Sequence, residues 1–267
     1  MAHISTSSRG LDPTAHGEPV APPWQLSVLR KVPWGVRRFF DPHHFPRYRF
    51  VRDASRRVAV GTSVVDAGAG ECVFRDLFSH ARYLPLDSKV GNASWNYGRL
   101  AVVGDVLAPP FRPGSVDYVL CTDVLEHVPD PQRMIDCLFA VLRPGGTLFL
   151  SAPQGWGEHQ LPHDYFRFTS SGLRLLLERA GFRVESIQPL GGFFYYLANR
   201  LQMVPLVVFG QRRRPVRFVL LPFEVLAHAV FGVVLPLLLL PFDRLDRQKL
   251  TTLTYGCIAV KPGRGRS

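Results

Sequence analysis

A turn with two glycines, placed between two apolar segments, constrains this chain more than any other feature. Val64 and Val65 run into Asp66, the glycines follow at positions 68 and 70, and apolar residues then recur at helical spacing between Phe74 and Ala81. This order predicts a strand, a tight turn and a helix. Glycine lets the backbone approach a ligand closely, and a helix amino terminus offers free N–H groups. The sequence therefore predicts a nucleotide-type cofactor site here.

Composition favours one large domain, or one domain with an insertion, since the chain has 267 residues of which 46% are hydrophobic. The net charge of +11 is carried mostly by arginine and points to nucleic acid, to acidic lipid headgroups or to no partner at all. The four cysteines are scattered, with no paired spacing. They are expected to be reduced thiols of a cytosolic protein.

The amino-terminal part of the chain divides into two stretches. Residues 1–23 are rich in Ser, Thr, Gly and Pro without a hydrophobic run, and are predicted to be a disordered tail rather than a signal peptide. Residues 24–58 alternate aromatics with arginines and are predicted to contain a helix ending near Arg57, with Phe50 facing inward. Three interpretations stay open for this segment: a lid over the cofactor site, an interfacial segment on anionic lipid, or a helix with solvated arginines.

Acidic residues stand at the ends of successive predicted strands. Asp87 ends the second strand and Asp105 the third, while a fourth strand runs from Val116 to Cys121 and is followed by Thr122. Asp130 is expected to cap a following helix. Strand and helix alternate, which predicts a doubly wound parallel sheet that binds ligands at the carboxyl ends of its strands.

The segment from Val64 to Gln154 resembles class I S-adenosylmethionine-dependent methyltransferases of type 11. A dinucleotide-binding turn would have a third glycine where Val73 stands, which counts against NAD. The resemblance is carried by ordered blocks: Asp66-Ala67-Gly68-Ala69-Gly70, Asp87, Gly104-Asp105, Asp123-Val124-Leu125-Glu126-His127-Val128 and Leu142-Arg143-Pro144-Gly145-Gly146-Thr147.

The resemblance implies an α/β, Rossmann-like sheet of seven strands, with strand 7 antiparallel, and S-adenosylmethionine as the cofactor. It also implies roles for individual residues. Asp66, Gly68 and Gly70 would line the methionine moiety. Asp87 would accept hydrogen bonds from the ribose hydroxyls, and Asp105 would bind the adenine amino group. The cofactor-binding residues implied in this way are Asp66, Gly68, Gly70, Asp87, Asp105, Val106 and Thr122.

Two places could supply a general base for an acceptor that keeps its proton. His127 follows the fourth strand, and His163-Asp164 lies in the loop after the fifth, a pair that resembles a substrate-side motif of some type 11 relatives. His163, His127 and Asp164 are therefore the candidate catalytic residues. A metal site at His159 and His163 is disfavoured because Pro162 separates them, so no metal is expected.

A long insertion separates the predicted strands 6 and 7. The methyltransferase domain is assigned to residues 59–192 plus 250–262, and the apolar helical insertion to residues 193–249. The apolar run from Phe218 to Phe242 approaches the length of a membrane span, but prolines interrupt it. Since the chain must return to the sheet, a monotopic or re-entrant hairpin is favoured over a single crossing. The alternative is a hydrophobic pair of helices that caps the acceptor pocket or forms a dimer interface.

The sequence thus predicts a methyltransferase that acts on a small-molecule or lipid-linked acceptor, on oxygen. It is expected in the cytoplasm, peripheral or monotopic at the inner face of the membrane, against an anionic surface. A non-catalytic cofactor-binding module at the membrane is the first alternative. Nucleic-acid methylation is the second, and it is unfavoured because the Asn-Pro-Pro-aromatic tetrad of amino-methylating enzymes is absent where Thr122-Asp123-Val124-Leu125 stands.

Overall fold

A computed structural model describes residues 44–91, 95–209 and 214–263. The predicted tail at residues 1–23, most of the basic aromatic segment before residue 44 and the arginines at 212 and 213 lie outside the described residues.

The core of the described chain is one mixed sheet of seven strands in the order β3-β2-β1-β4-β5-β7-β6. β7 pairs antiparallel with both β5 and β6, whereas the other pairs are parallel. The predicted Rossmann-like α/β topology is confirmed. The strands are β1 (Ser63–Ala67), β2 (Arg82–Asp87), β3 (Val102–Val103), β4 (Val116–Thr122), β5 (Leu142–Pro153), β6 (Arg183–Pro189) and β7 (Thr254–Val260).

Helices cover both faces of this sheet and form the insertion before β7. The helix Pro131–Val141 begins where predicted, since the Asp130 carboxylate accepts the Arg133 N–H at 3.0 Å. Thr169 caps the helix Ser170–Arg179 in the same way by accepting the Gly172 N–H at 3.1 Å. The helices are α1 (His44–Ser55), α2 (Pro131–Val141), α3 (Ser170–Arg179), α4 (Phe193–Phe209), α5 (Arg214–Ala229) and α6 (Leu235–Leu239).

The predicted helix after the glycine turn is wrong. The structure has one 3-10 turn there, Arg75–Phe78, although Phe74 and Phe78 are buried as the periodicity suggested. Cys72 adopts a left-handed φ of 57°, which is incompatible with a first helical turn. The third strand also ends earlier than expected, since β3 stops at Val103, two residues before Asp105.

The face left uncovered by that missing helix is covered by α1. Phe50, Val51 and Ala54 are buried in it, as expected, and pack with the apolar residues of β1, β5 and β7. A Cβ at Gly256 of β7 would lie 2.8 Å from Cδ2 of Phe50, so α1 sits against bare backbone. This end of the basic aromatic segment is therefore part of the core.

The insertion forms a helical hairpin: α4 leads away from the sheet after β6, and a second apolar helix leads back to β7. That return is helical from Val219 to Arg244, with a π-helical turn at Val230–Val234, so its prolines do not interrupt it as the sequence suggested. Pro236 has no N–H for the carbonyl of Gly232, four residues earlier. The Gln202 side-chain amide of α4 donates to that carbonyl instead, at 3.1 Å. This hydrogen bond joins the two helices near the middle of each.

The base of the hairpin is closed by two carboxylates. Asp243 accepts the Gly192 N–H at 3.0 Å and forms an ion pair with Lys249. Asp246 accepts the Phe193 N–H at 2.7 Å. Both therefore satisfy amide donors at the start of α4, where a helix has none of its own acceptors. The two ends of the insertion meet beside β6 and β7.

Candidate active site

The glycine turn folds back onto the end of β2. The amides of Gly68 and Ala69 both donate to the Leu86 carbonyl, at 2.8 and 3.0 Å. Gly68 has a φ of +80°, and a Cβ there would overlap the Val124 side chain, so a larger residue would displace the loop after β4. The turn is therefore fixed between the carboxyl ends of two neighbouring strands.

Asp87 holds the second half of this turn in place. Its carboxylate accepts the Gly70 N–H at 2.9 Å and the Lys89 N–H at 2.7 Å, and the residue is 9% exposed. A carboxylate offers about four lone-pair sites, so acceptor capacity remains for two hydroxyls. This geometry fits the ribose-binding role that the resemblance implies.

Aromatic residues that the sequence interpretation missed line the same place. A Cβ at Gly70 would lie 3.2 Å from the Trp95 ring, and one at Gly91 would lie 3.0 Å from the Tyr97 hydroxyl. Trp95 and Tyr97 pack at 6.2 Å between ring centroids. Since Trp95 lies in neither a helix nor a strand, no periodic pattern indicated its position.

The third strand end places its acid next to Asp87. The Gly104 N–H donates to the Asp87 backbone carbonyl at 3.0 Å, and Asp105 follows. Asp105 is exposed and accepts the Leu107 N–H at 2.8 Å, while Val106 is buried. The structure thus brings Asp87, Asp105 and Val106 to one edge of the sheet, as the predicted adenosine site requires.

The end of β4 is held by a contact from the amino-terminal helix. Thr122 lies half-buried at this strand end, and Asp123 follows with a left-handed φ of 51°. Arg47 of α1 forms an ion pair with Asp123, and the Ser151 hydroxyl donates to the same carboxylate at 2.8 Å. Arg47 had appeared in the sequence only as one of several basic residues.

Asp66 lies beneath the turn with its carboxyl group buried. The Tyr83 hydroxyl donates a hydrogen bond to it. Burial raises the pKa of Asp66 to about 7, although the bond from Tyr83 acts in the opposite direction. A hydrogen bond therefore joins the buried carboxyl of Asp66 in β1 to Tyr83 in the neighbouring strand β2, a contact that the sequence pattern did not indicate.

We expect Asp66 to make the fold less stable as pH rises. Below about pH 4 the carboxyl is protonated in both states; between about pH 4 and pH 7 only the unfolded chain releases its proton, so the free energy of unfolding falls. A shift from 3.8 to about 7 corresponds to a loss of about 4 kcal/mol at neutral pH. Urea denaturation at pH 4.5 and 7.5 should show about 3 kcal/mol of that loss for the wild type, because pH 4.5 already lies above the unfolded pKa, and a much smaller loss for Asp66→Asn. An equal pH dependence in both proteins would contradict the assignment.

The loop after β5 contains a buried ion pair. The Asp164 side chain is buried and accepts two hydrogen bonds from Arg167, at 2.7 and 2.8 Å, and one from the His159 N–H at 2.8 Å. Burial by itself would raise the pKa of Asp164, but these hydrogen bonds hold it below its usual value. The predicted catalytic Asp164 is thus engaged in holding the loop.

The two candidate catalytic histidines occupy different environments. The His163 ring is exposed, and its Nδ1 lies 3.1 Å from the Tyr165 hydroxyl. His127 is held beneath it: its Nδ1 lies 2.6 Å from the backbone oxygen of His163, and burial lowers its pKa. The structure brings the loop of His163 over His127, but their rings are not bonded to each other.

Two further residues, not among the predicted site residues, approach His127. His159 Nε2 lies 3.1 Å from His127 Nε2, and Glu126 is buried next to both. Burial and the nearby Asp123 raise the pKa of Glu126 well above its ordinary value. The Glu126-His127 dipeptide was a visible signal in the sequence, but its partner His159, 32 residues away, was not.

The chain was compared with known proteins. Residues 65–150 match the family model of a type 11 methyltransferase domain. A ubiquinone biosynthesis O-methyltransferase of Cupriavidus pinatubonensis is 33% identical over 167 residues, 55% of this chain and 66% of that protein. Its counterpart in Xanthomonas campestris is 37% identical over 115 residues, 37% of this chain and 46% of that protein.

Among solved structures, the [4+2]-cyclase SpnF shares the fold, with a TM-score of 0.51, 16% sequence identity and coverage of 81% of this chain and 82% of that one. The chain spans about half to two thirds of the length of the curated relatives that it matches. The matched residues include the glycine turn and the acids at the strand ends, so the family model covers the proposed cofactor site. Residues 65–150 of this chain form a methyltransferase domain of the type 11 family.

Proposed function

We propose that this protein methylates an oxygen of a small-molecule or lipid-linked acceptor. The observation that carries the proposal is that the apolar hairpin packs against the loop after β5, which bears His159 and His163. A Cβ at Gly155, just after β5, would lie 2.7 Å from the ring of Tyr196 in α4. Arg200 of α4 packs 5.6 Å from the ring centroids of both Tyr196 and Trp156. An apolar acceptor held by the hairpin would thus reach the loop that bears His159 and His163.

The cofactor of this family, S-adenosylmethionine, supplies a methyl group activated by a sulfonium. Its proposed binding residues share one edge of the sheet, and the bare backbone and spare carboxylate lone pairs described above suit an adenosine with its two ribose hydroxyls. They are Asp66, Gly68, Gly70, Asp87, Asp105, Val106 and Thr122.

The chain itself must orient the acceptor, exclude water and take up the acceptor's proton. The exposed ring of His163 is the proposed proton acceptor, and the Tyr165 hydroxyl fixes its orientation. Asp164 with Arg167 positions that loop from beneath. Oxygen as the accepting atom is supported by the names of the two relatives described above, which are O-methyltransferases of ubiquinone biosynthesis.

The test is incubation of the full chain with methyl-labelled cofactor and a total cell extract, followed by separation into lipid, aqueous and RNA fractions. We expect label in the lipid fraction, and His163→Ala should lower the rate by about 10²–10⁴-fold while leaving cofactor affinity unchanged. Label in RNA would support the nucleic-acid alternative. Cofactor binding without any transfer would support the non-catalytic module. Near-wild-type turnover by His163→Ala would remove that residue's role.

A further inference from the structure

Three side chains beside the acceptor loop converge with their ligand atoms facing one another. His127 Nε2 lies 3.1 Å from His159 Nε2, and a Glu126 carboxylate oxygen lies 3.7 Å from His127 Nε2. All three ligand atoms lie within 4.8 Å of one another. The residues come from separate elements, the 3-10 turn Leu125–His127 and the loop after β5, which the tertiary fold brings together.

Both rings hold their Nδ1 atoms against backbone carbonyls. His127 Nδ1 lies 2.6 Å from the His163 carbonyl oxygen, and His159 Nδ1 lies 3.1 Å from that of Gly157. Since a carbonyl only accepts, each Nδ1 donates, and in the tautomer with its proton on Nδ1 the Nε2 atom carries the lone pair that a metal ion would take. The two Nε2 atoms face each other. The Gln160 amide nitrogen, 3.3 Å from His127 Nε2, can serve only one of them.

Glu126 adds a second and independent observation. Its side chain is 1% exposed, and neither carboxylate oxygen has a hydrogen-bond partner among the residues that the structure describes. A buried polar group without a partner is costly, and a buried carboxylate more so. One cation between Glu126 and the two Nε2 atoms would satisfy all three groups at once.

We propose that Glu126, His127 and His159 bind a divalent transition-metal ion of the zinc class. Two imidazole nitrogens and one carboxylate oxygen are a ligand set that such ions prefer, and three protein ligands leave a fourth position open. The carbonyls bonded to both Nδ1 atoms fix the ring orientations, as outer-shell partners of metal-bound histidines do. This last step rests on the proposed function: the oxygen of the acceptor would occupy the open position. The sequence pointed to His159 and His163 as the weak metal candidates, whereas the structure pairs His159 with Glu126 and His127.

The experiment measures metal binding by the full chain, without a polyhistidine tag, cofactor or acceptor. Zn²⁺ affinity is measured by competition with a chromophoric chelator, and Co²⁺ is added to report coordination by its visible absorption. We expect one equivalent per chain. His159→Ala and Glu126→Gln should each weaken binding at least about 100-fold, more than loss of an outer-shell partner usually does. His163→Ala is the matched control, since it keeps the backbone carbonyl that orients His127.

Glu126→Gln preserves the shape of the buried side chain, so a folded variant is expected, and circular dichroism verifies it. The proposal is overturned if the wild-type chain holds no Zn²⁺ or Co²⁺, if both ligand variants bind like the wild type, or if His163→Ala loses the ion as His159→Ala does. Metal binding without methyl transfer would overturn the proposed function alone. Transfer by a chain that binds no metal would overturn this inference alone.

Discussion

Replacing Asp87 with alanine is expected to reduce the affinity for S-adenosylmethionine by about 10²–10⁴-fold. Each hydrogen bond to a charged group contributes about 1.5–3 kcal/mol, and two ribose hydroxyls are expected to donate to this carboxylate. The same substitution removes the acceptor of the buried Gly70 N–H, so the glycine turn loses its fixed position. Isothermal titration calorimetry with the cofactor measures the effect directly.

The control for this substitution is Asp53→Ala, which removes the same charge from a carboxylate that is 53% exposed on α1, on a residue outside the proposed site. Asp87→Asn, which keeps one acceptor oxygen, should fall between the wild type and Asp87→Ala. Thermal denaturation establishes that the variants are folded. Cofactor affinity of Asp87→Ala within about threefold of the wild type would contradict the ribose-binding role.

The protein is expected to bind vesicles that contain anionic lipid, through its apolar hairpin. The segment Val219–Arg244 has a mean hydropathy of 2.3 over its most apolar window, yet only 11% of that window is buried within the chain. Phe223 is 62% and Leu226 60% exposed, while the two ionisable groups between Val219 and Phe242 are shielded: Glu224 is buried, and His228 is bonded to the Glu224 backbone oxygen at 2.8 Å. A large exposed apolar surface of this kind indicates a binding face.

Flotation of the full chain with vesicles of phosphatidylcholine and phosphatidylglycerol tests this expectation. Phe223→Asp combined with Leu226→Asp should weaken vesicle binding at least about 100-fold, because burial of each side chain in lipid contributes about 1.5–3 kcal/mol. Leu175→Asp, at a position 50% exposed on α3, is the matched control and should float like the wild type. A chain that stays wholly soluble without detergent, or a dimer that the double variant splits, would instead favour the dimer-interface interpretation.

The sheet could be predicted from sequence because its signals are local. Asp66, Asp87 and Asp105 each follow a short apolar run, and parallel strands bring such strand ends to one edge regardless of the loops between them. The caps at Asp130 and Thr169 are equally local, since each concerns hydrogen bonds within three residues.

The features that sequence reasoning missed depend on the conformation of single residues or on distant contacts. The helical periodicity after the glycine turn was genuine, but the left-handed backbone at Cys72 replaced the helix by a 3-10 turn. Prolines normally end a helix, but Gln202 supplies the donor that Pro236 lacks. The pairs Arg47 with Asp123 and His127 with His159 join residues 76 and 32 positions apart, which no spacing rule within a helix or strand can indicate.

The closure of the hairpin by Asp243 and Asp246 has a consequence for how the sheet assembles. Between β6 and β7 lie about sixty residues, and joining strands across a flexible segment of that length would cost more chain entropy than a short turn, although the cost grows only slowly with length. Because Asp243 is bonded to the amide of Gly192, the strands are connected in effect by residues 190–192 on one side of that bond and residues 243–253 on the other. The sheet can therefore close as though the insertion were a much shorter loop, and we expect the hairpin beyond that bond to tolerate changes in length without altering the register of β7.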